Sequence, residues 1–195
     1  MKKTILTLAA SLLLAASTLA APPSKSMVGQ KAPSLSGQKA RGAGLMKLRS
    51  LMKEFGFKKD ANGKMIEKNG KYIPLVSTNV VVLNFFSTTC VPCMREIPTY
   101  NRIADHFKGK PVKLIYVNID TEVSDQELIR FIAKKKINLP MMLPNQRDAI
   151  KKYQVYSLPR IIVIGKDGKI AHEVKGFHSE LESNLTGWIN ELIAG

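Results

Sequence analysis

Two cysteines occur in the 195 residues, and they stand three positions apart as Cys90-Val91-Pro92-Cys93. Thiols at that spacing suit a reversible disulfide, and two-electron exchange is the chemistry that follows if the first sits at the start of a helix. There its sulfur faces unpaired backbone N–H groups and the positive end of the helix dipole, both of which favour thiolate over thiol. Cys90 is therefore the expected nucleophile. Cys93, one turn on and on the same face, can attack the mixed disulfide that Cys90 forms and release the substrate reduced. Pro92 suits a first turn, where a missing N–H costs little.

Other uses of the pair fit less well. A purely structural disulfide closing so short a loop contributes only about 2 kcal/mol by chain entropy, little for the single bridge this chain can make. Two thiolates could hold copper or zinc with a histidine, but His106, His172 and His178 are all distant from the motif in sequence. Covalent haem attachment requires His after the second cysteine, and Met94 stands there.

The elements around the motif supply the strand and helix it needs. Asn79 to Phe86 is a short run of β-branched and aromatic residues, suited to a central strand buried on both faces. Helical spacing begins after Cys90 and runs to about His106. A second apolar run spans Val112 to Ile119, and Ser124 with Glu127 forms a capping box opening a helix that carries Leu128, Phe131 and Ile132. Asn145 to Tyr153 precedes a strand at Ile161 to Ile164, a turn at Lys166 to Lys169, and a strand from Ile170 to Val174. Leu181, Leu185, Trp188 and Leu192 then mark a terminal helix. The alternation points to an α/β domain closing on a hairpin. No internal repeat or glycine-rich phosphate loop accompanies it.

Composition sets the surroundings. A hydrophobic fraction of 45% over this length supports one domain with a real core. Formal charge is +15, yet aromatics make up only 7%, a poor supply of stacking surface, and no nucleic-acid partner is expected. From Pro22 to Lys71 there are 12 Lys and Arg against three acids, Glu54, Asp60 and Glu67, so the excess lies ahead of the expected core. Within that stretch Leu45, Leu48, Leu51, Met52 and Phe55 recur at helical spacing, with Gly56 as a stop, and Asn69-Gly70 marks a tight hairpin. A small basic helix-and-hairpin appendage is the expectation. Packing on the domain is the plain use for its apolar stripe, and contact with an acidic partner or a membrane surface is the functional one.

At the N-terminus Lys2 and Lys3 precede an apolar run from Ile5 to Leu14 and a small-residue stretch ending Ala20-Ala21. That is the pattern of a secretory signal peptide, with cleavage expected after Ala20 and a mature protein outside the inner membrane, in the periplasm or otherwise extracytoplasmic. The expected organisation is a signal peptide at 1–20, a basic extension at 21–71 and the main domain at 72–195. No cysteine follows the apolar run to carry a lipoprotein anchor.

The stretch from Val82 to Pro98, VLNFFSTTCVPCMREIP, resembles the TlpA/ResA-like branch of extracytoplasmic thioredoxin-fold thiol:disulfide oxidoreductases. The likeness continues through Tyr153 to Pro159, YQVYSLP, and on to Asp167-Gly168-Lys169-Ile170. The resemblance implies a thioredoxin-like fold, a central mixed β-sheet flanked by helices. It implies a redox-active Cys90–Cys93 disulfide, a cis peptide bond before Pro159 beside that pair, and a glutamate near the thiols at Glu96, able to take the proton of Cys93. Asn84 stands where ordinary thioredoxins carry a buried acid. Two positions depart from the family pattern, Thr89 before the first cysteine and Arg160 after the cis-proline, both expected to flank the substrate groove. The implied activity is exchange with protein dithiols and disulfides by a cofactor-free monomer. Reduction is the implied direction, in cytochrome c or metalloprotein maturation, with electrons from a membrane donor. Two other readings are a copper-binding metallochaperone-like module and a thiol peroxidase; the latter lacks its Pro-x-x-x-Thr/Ser-x-x-Cys pattern, since Leu83 replaces the proline while Ser87 fits.

Overall fold

The computed structural model describes residues 25–195; the expected signal segment lies outside them. The first half contributes strands β1 (Ser36–Lys39) and β2 (Leu45–Lys47), helix α1 (Leu48–Met52), and strands β3 (Lys53–Phe57), β4 (Glu67–Lys68), β5 (Lys71–Tyr72) and β6 (Pro74–Thr78). The second half runs β7 (Val80–Phe86), α2 (Val91–His106), β8 (Val112–Asn118), α3 (Asp125–Lys134), β9 (Met141–Pro144), α4 (Gln146–Tyr153), β10 (Arg160–Ile164), β11 (Ile170–Lys175) and α5 (Leu181–Ala194).

Among the described residues, seven strands form one mixed sheet in the order β11-β10-β7-β8-β9-β1-β2. β7, β8 and β9 are parallel, while β10 pairs antiparallel with β7 and β11 with β10 on one side, and β1 with β9 and β2 with β1 on the other. Every residue of β7 is buried, as its uninterrupted apolar run requires for a strand covered on both faces. Val80, Val82 and Phe86 pack with Ile97, Tyr100 and Ile103 of α2 and Leu185 and Ile189 of α5. Val81, Leu83 and Phe85 face the other way, toward Met27, Leu35, Leu48 and Tyr153. The capping box of α3 forms as expected, with Glu127 N–H reaching Ser124 Oγ and Ser124 N–H reaching Glu127 Oε2.

The basic stretch divides in two. Residues up to Met52 lie on the body: β1 joins the main sheet, and Met27, Leu35, Met46 and Leu48 enter its core. The expected helix through Leu45, Leu48, Leu51, Met52 and Phe55 shrinks to α1. Leu45 is instead in β2 and Phe55 in β3, where pairing with Val76 takes the backbone hydrogen bonds that a longer helix would have used. Residues 53–78 form a separate ribbon in which β3 pairs with β6 and β4 with β5. The Asn69-Gly70 turn is present, with φ of 52° and 73°. Gly37 has a different reason: a Cβ there would lie 2.3 Å from the Leu143 carbonyl oxygen, so only glycine lets β1 close on β9.

Candidate active site

The chain crosses from β7 to α2 through Ser87, Thr88 and Thr89, and Asp120 fixes that crossing. Ser87 Oγ donates to Asp120 Oδ1 at 2.5 Å, while Thr88 N–H and Asn118 Nδ2 donate to Oδ2 at 2.9 and 2.8 Å. Burial raises the Asp120 pKa, but the hydrogen bonds from Ser87, Thr88 and Asn118 outweigh it and hold the carboxyl below its usual range. Asp120 escaped the sequence reading because it lies 30 residues past Cys90 and is delivered by the pairing of β8 with β7.

Cys90 is the N-cap of α2, and its Sγ accepts the Cys93 N–H at 3.2 Å. Its sulfur is bonded to that of Cys93, with Cα atoms 5.3 Å apart. Cys90 is partly exposed and Cys93 buried, so an incoming group meets the first sulfur before the second. No acid occupies the first turn of α2 to oppose a thiolate at the helix terminus. Pro98 sits inside α2 without ending it.

The Leu158–Pro159 peptide bond is cis. Because Arg160 pairs with Phe85 across β10 and β7, Pro159 lies at the end of the sheet from which Cys90 emerges. Gly176 N–H donates to the Pro159 carbonyl at 2.8 Å, tying that bend to the end of β11. Val91, Tyr156 and Phe177 are exposed in the segments meeting at this end. Thr89 is also exposed, but Arg160 does not flank a groove: it is 1% exposed, and its Nη2 donates to Glu173 Oε2 at 2.9 Å. The alternation along β10 turns Arg160 toward the sheet face that Met27 covers, where a charge needs a buried partner.

Behind Cys93 lies a layer of polar groups with little to bond to. Glu96 is 2% exposed, and neither carboxylate oxygen has a hydrogen-bond partner among the described residues; the nearby His178 N–H misses bonding geometry. Asn84 on β7, Tyr116 beside it on β8, and Tyr100 one turn beyond Glu96 on α2 likewise lack partners for their buried polar atoms. The Tyr100 and Tyr116 rings are 5.5 Å apart. Burial pushes the Glu96 carboxyl up to about 7, and burial with the Glu96 charge nearby pushes both phenols above their ordinary range. A carboxyl poised near neutrality one turn from a thiol can exchange a proton with it at physiological pH.

The structure thus brings Cys90, Cys93, Glu96 and Pro159 to one end of the sheet. It does not bring the histidines there as a set. His172 stacks on Trp188 at 4.4 Å and His106 packs edge-on against Phe107. Among the described residues no three His, Cys, Asp or Glu side chains gather as a metal would need.

A family model described as the AhpC/TSA family matches residues 28–173, and thus both cysteines, the cis-proline and the main sheet except for the last two residues of β11. The chain belongs to that family. Within it, the chain is 34% identical over 96 residues to the thiol-disulfide oxidoreductase ResA of Bacillus thuringiensis subsp. konkukian, a match covering 49% of this chain and 54% of that protein. The ResA of Bacillus subtilis is 31% identical over 121 residues, 62% of this chain and 64% of that protein. The chain therefore spans about half to two thirds of these relatives' length. The thioredoxin domain of a thiol-disulfide oxidoreductase from Bacteroides vulgatus superposes with a TM-score of 0.64 at 17% identity, covering 85% of this chain and all of that one. The fold is thioredoxin-like, and the resemblance to the TlpA/ResA-like branch holds.

Proposed function

We propose that this AhpC/TSA-family chain is an extracytoplasmic thiol:disulfide oxidoreductase that reduces protein disulfides. The observation that carries the reading is the partly exposed sulfur of Cys90, capping α2 and bonded to the buried Cys93. In the reduced protein the Cys90 thiolate attacks a substrate disulfide, forming a mixed disulfide and releasing the first substrate sulfur as thiolate. Cys93 passes its proton to Glu96 and attacks Cys90 Sγ; the second substrate sulfur leaves and takes up a proton. Two electrons reach the substrate, and the enzyme is left with the disulfide seen here. A donor dithiol, membrane-borne in this reading, restores it by the reverse steps.

Pro159, whose carbonyl is held by Gly176, gives an extended substrate backbone a fixed edge beside Cys90, with Tyr156 and Phe177 offering apolar contact. Reduction of substrates in cytochrome c or metalloprotein maturation, and a periplasmic location after loss of residues 1–20, belong to the same reading. No helix among the described residues is long and apolar enough to cross a membrane.

The test uses a model protein disulfide such as insulin. Cys93→Ser is expected to accumulate a covalent complex through Cys90, visible on non-reducing gels, and Cys90→Ser to lose exchange altogether. Normal exchange by Cys90→Ser would refute the mechanism. Rapid peroxide consumption by the reduced protein would favour a thiol peroxidase instead.

A further inference from the structure

The 53–78 ribbon holds none of the residues of the dithiol site, and it leaves large apolar side chains exposed. Phe55 pairs with Val76 and Phe57 with Pro74, so these four side chains share one face. Phe55 is 78% exposed and Val76 53%, and Tyr72, packed against Phe57, is exposed beside them. A two-stranded ribbon alone is marginal in water, and a contiguous exposed apolar face marks an interaction surface.

The charge on the ribbon is net positive, six lysines against the three acids Glu54, Asp60 and Glu67. Lys53, Lys58, Lys59, Lys64, Lys68 and Lys71 are its basic residues, and it contains no arginine. Of its acids, Glu54 is paired with Lys113 at 2.6 Å, and Asp60 accepts the Asn62 and Lys64 N–H groups of its own turn. Lys47 and Arg49 on the body line the same cleft as Lys53 and Phe55, extending the basic surface past the root of the ribbon.

We propose that the 53–78 ribbon docks on a bilayer rich in anionic phospholipid, with Phe55, Phe57 and Val76 entering the headgroup–acyl boundary and the lysines facing lipid phosphates. The choice of occupant rests on the kind of cation. Protein interfaces are enriched in Arg and Trp and depleted in Lys, whereas lysine stems beside Phe and Val suit a headgroup layer, lying along apolar surface while the ammonium stays among phosphates.

Docking there orients the catalytic end. β6 passes through Asn79 straight into β7, and Cys90 emerges from the far end of β7. Seven residues of strand at about 3.3 Å each hold the dithiol roughly 20 Å from the root of the ribbon, facing away from the lipid. The inference is independent of the direction of electron flow.

Sedimentation of the chain beginning at Ala21 with vesicles tests it. Vesicles of phosphatidylglycerol mixed equally with phosphatidylcholine are expected to carry the protein down, and pure phosphatidylcholine vesicles to leave it in solution. Raising salt until the Debye length falls from about 10 to about 3 Å should release it. Lys58→Gln with Lys59→Gln should lower partitioning about 30-fold, from about 1 kcal/mol per lysine, and Phe55→Ser should lower it too. Both variants should keep the parent's disulfide exchange in solution, which shows that they fold. Partitioning that ignores lipid charge, or is unchanged in both variants, would overturn the proposal. So would salt-sensitive binding to an acidic protein without vesicle binding, which would assign the ribbon to a protein partner.

Discussion

Glu96 and Glu173 are carboxyls withdrawn from water on opposite sides of the same sheet, and they titrate in opposite directions. Glu173 accepts Arg160 Nη2 at 2.9 Å and the Met27 N–H at 3.1 Å, with Lys175 Nζ at 3.4 Å. Burial raises its pKa, but the Met27 N–H, Arg160 and Lys175 outweigh that and hold it below the ordinary value. Glu96 has no such partners, and burial takes it up to about 7. Partners rather than depth decide which carboxyl keeps its charge. Glu173 is thereby a fixed clasp between the N-terminal segment, β10 and β11, while Glu96 keeps a proton that can move.

Breaking the clasp should have the largest effect. Arg160→Met leaves Glu173 without its buried counter-ion and is expected to lower unfolding free energy by about 3–5 kcal/mol in urea titrations. Adding Glu173→Leu should restore much of that loss, because an apolar pair of similar volume needs no desolvated charge. A cost under about 1 kcal/mol for Arg160→Met would place it with exposed ion pairs and erase the contrast.

Stability against pH sharpens the contrast further. With a folded pKa of about 7 against an ordinary value of 4.5, Glu96 binds a proton in the folded state that the unfolded chain has released. Its contribution is full below pH 4.5 and is lost as pH rises through 7, a fall of about 3 kcal/mol across that window. Glu96→Gln should flatten this part of the curve. Glu173 acts with the opposite sign: its depressed folded pKa stabilises above the unfolded value, and the contribution is lost as pH falls through the folded one. A curve unchanged by Glu96→Gln would mean that Glu96 is ionised in the fold.

The smallest effects come from two tyrosines. Tyr153 Oη donates to the Pro33 carbonyl on the Glu173 side, so Tyr153→Phe should cost about 1 kcal/mol. Tyr116 Oη bonds to nothing among the described residues, so Tyr116→Phe should be neutral or slightly stabilising in the same urea titrations. Equal losses at both sites would show that the layer behind Cys93 is hydrogen-bonded after all.

Much of this was legible in the sequence, for identifiable reasons. β7 and α2 carry strong patterns of period and capping, and the two cysteines fall between them, so the Cys90–Cys93 pairing at a helix start was readable from spacing together with that strand–helix context. The Asn69-Gly70 turn and the Ser124–Glu127 box are local devices and appeared where expected. β9, with the residues Met141 to Pro144, has no period of its own; it is a strand because β8 and β1 offer it hydrogen bonds. The Leu45 to Phe55 stripe has helical spacing, yet competing strand pairing on both sides of α1 overrode it. Glu96 and Pro159 came with the family resemblance. Asp120, Tyr116 and the burial of Arg160 depend on which strands lie side by side, which no local pattern encodes.

The most direct test of the account is to load Cys90 with nitrothiobenzoate as a mixed disulfide and follow its release by Cys93 in stopped flow across pH. The parent protein is expected to show an inflection near 7, the pH at which Glu96 gains the capacity to accept a proton. Glu96→Gln should lose that inflection and resolve the mixed disulfide on the order of 100-fold more slowly. Superimposable profiles for the two proteins would contradict the assignment of Glu96 as the acceptor of the Cys93 proton.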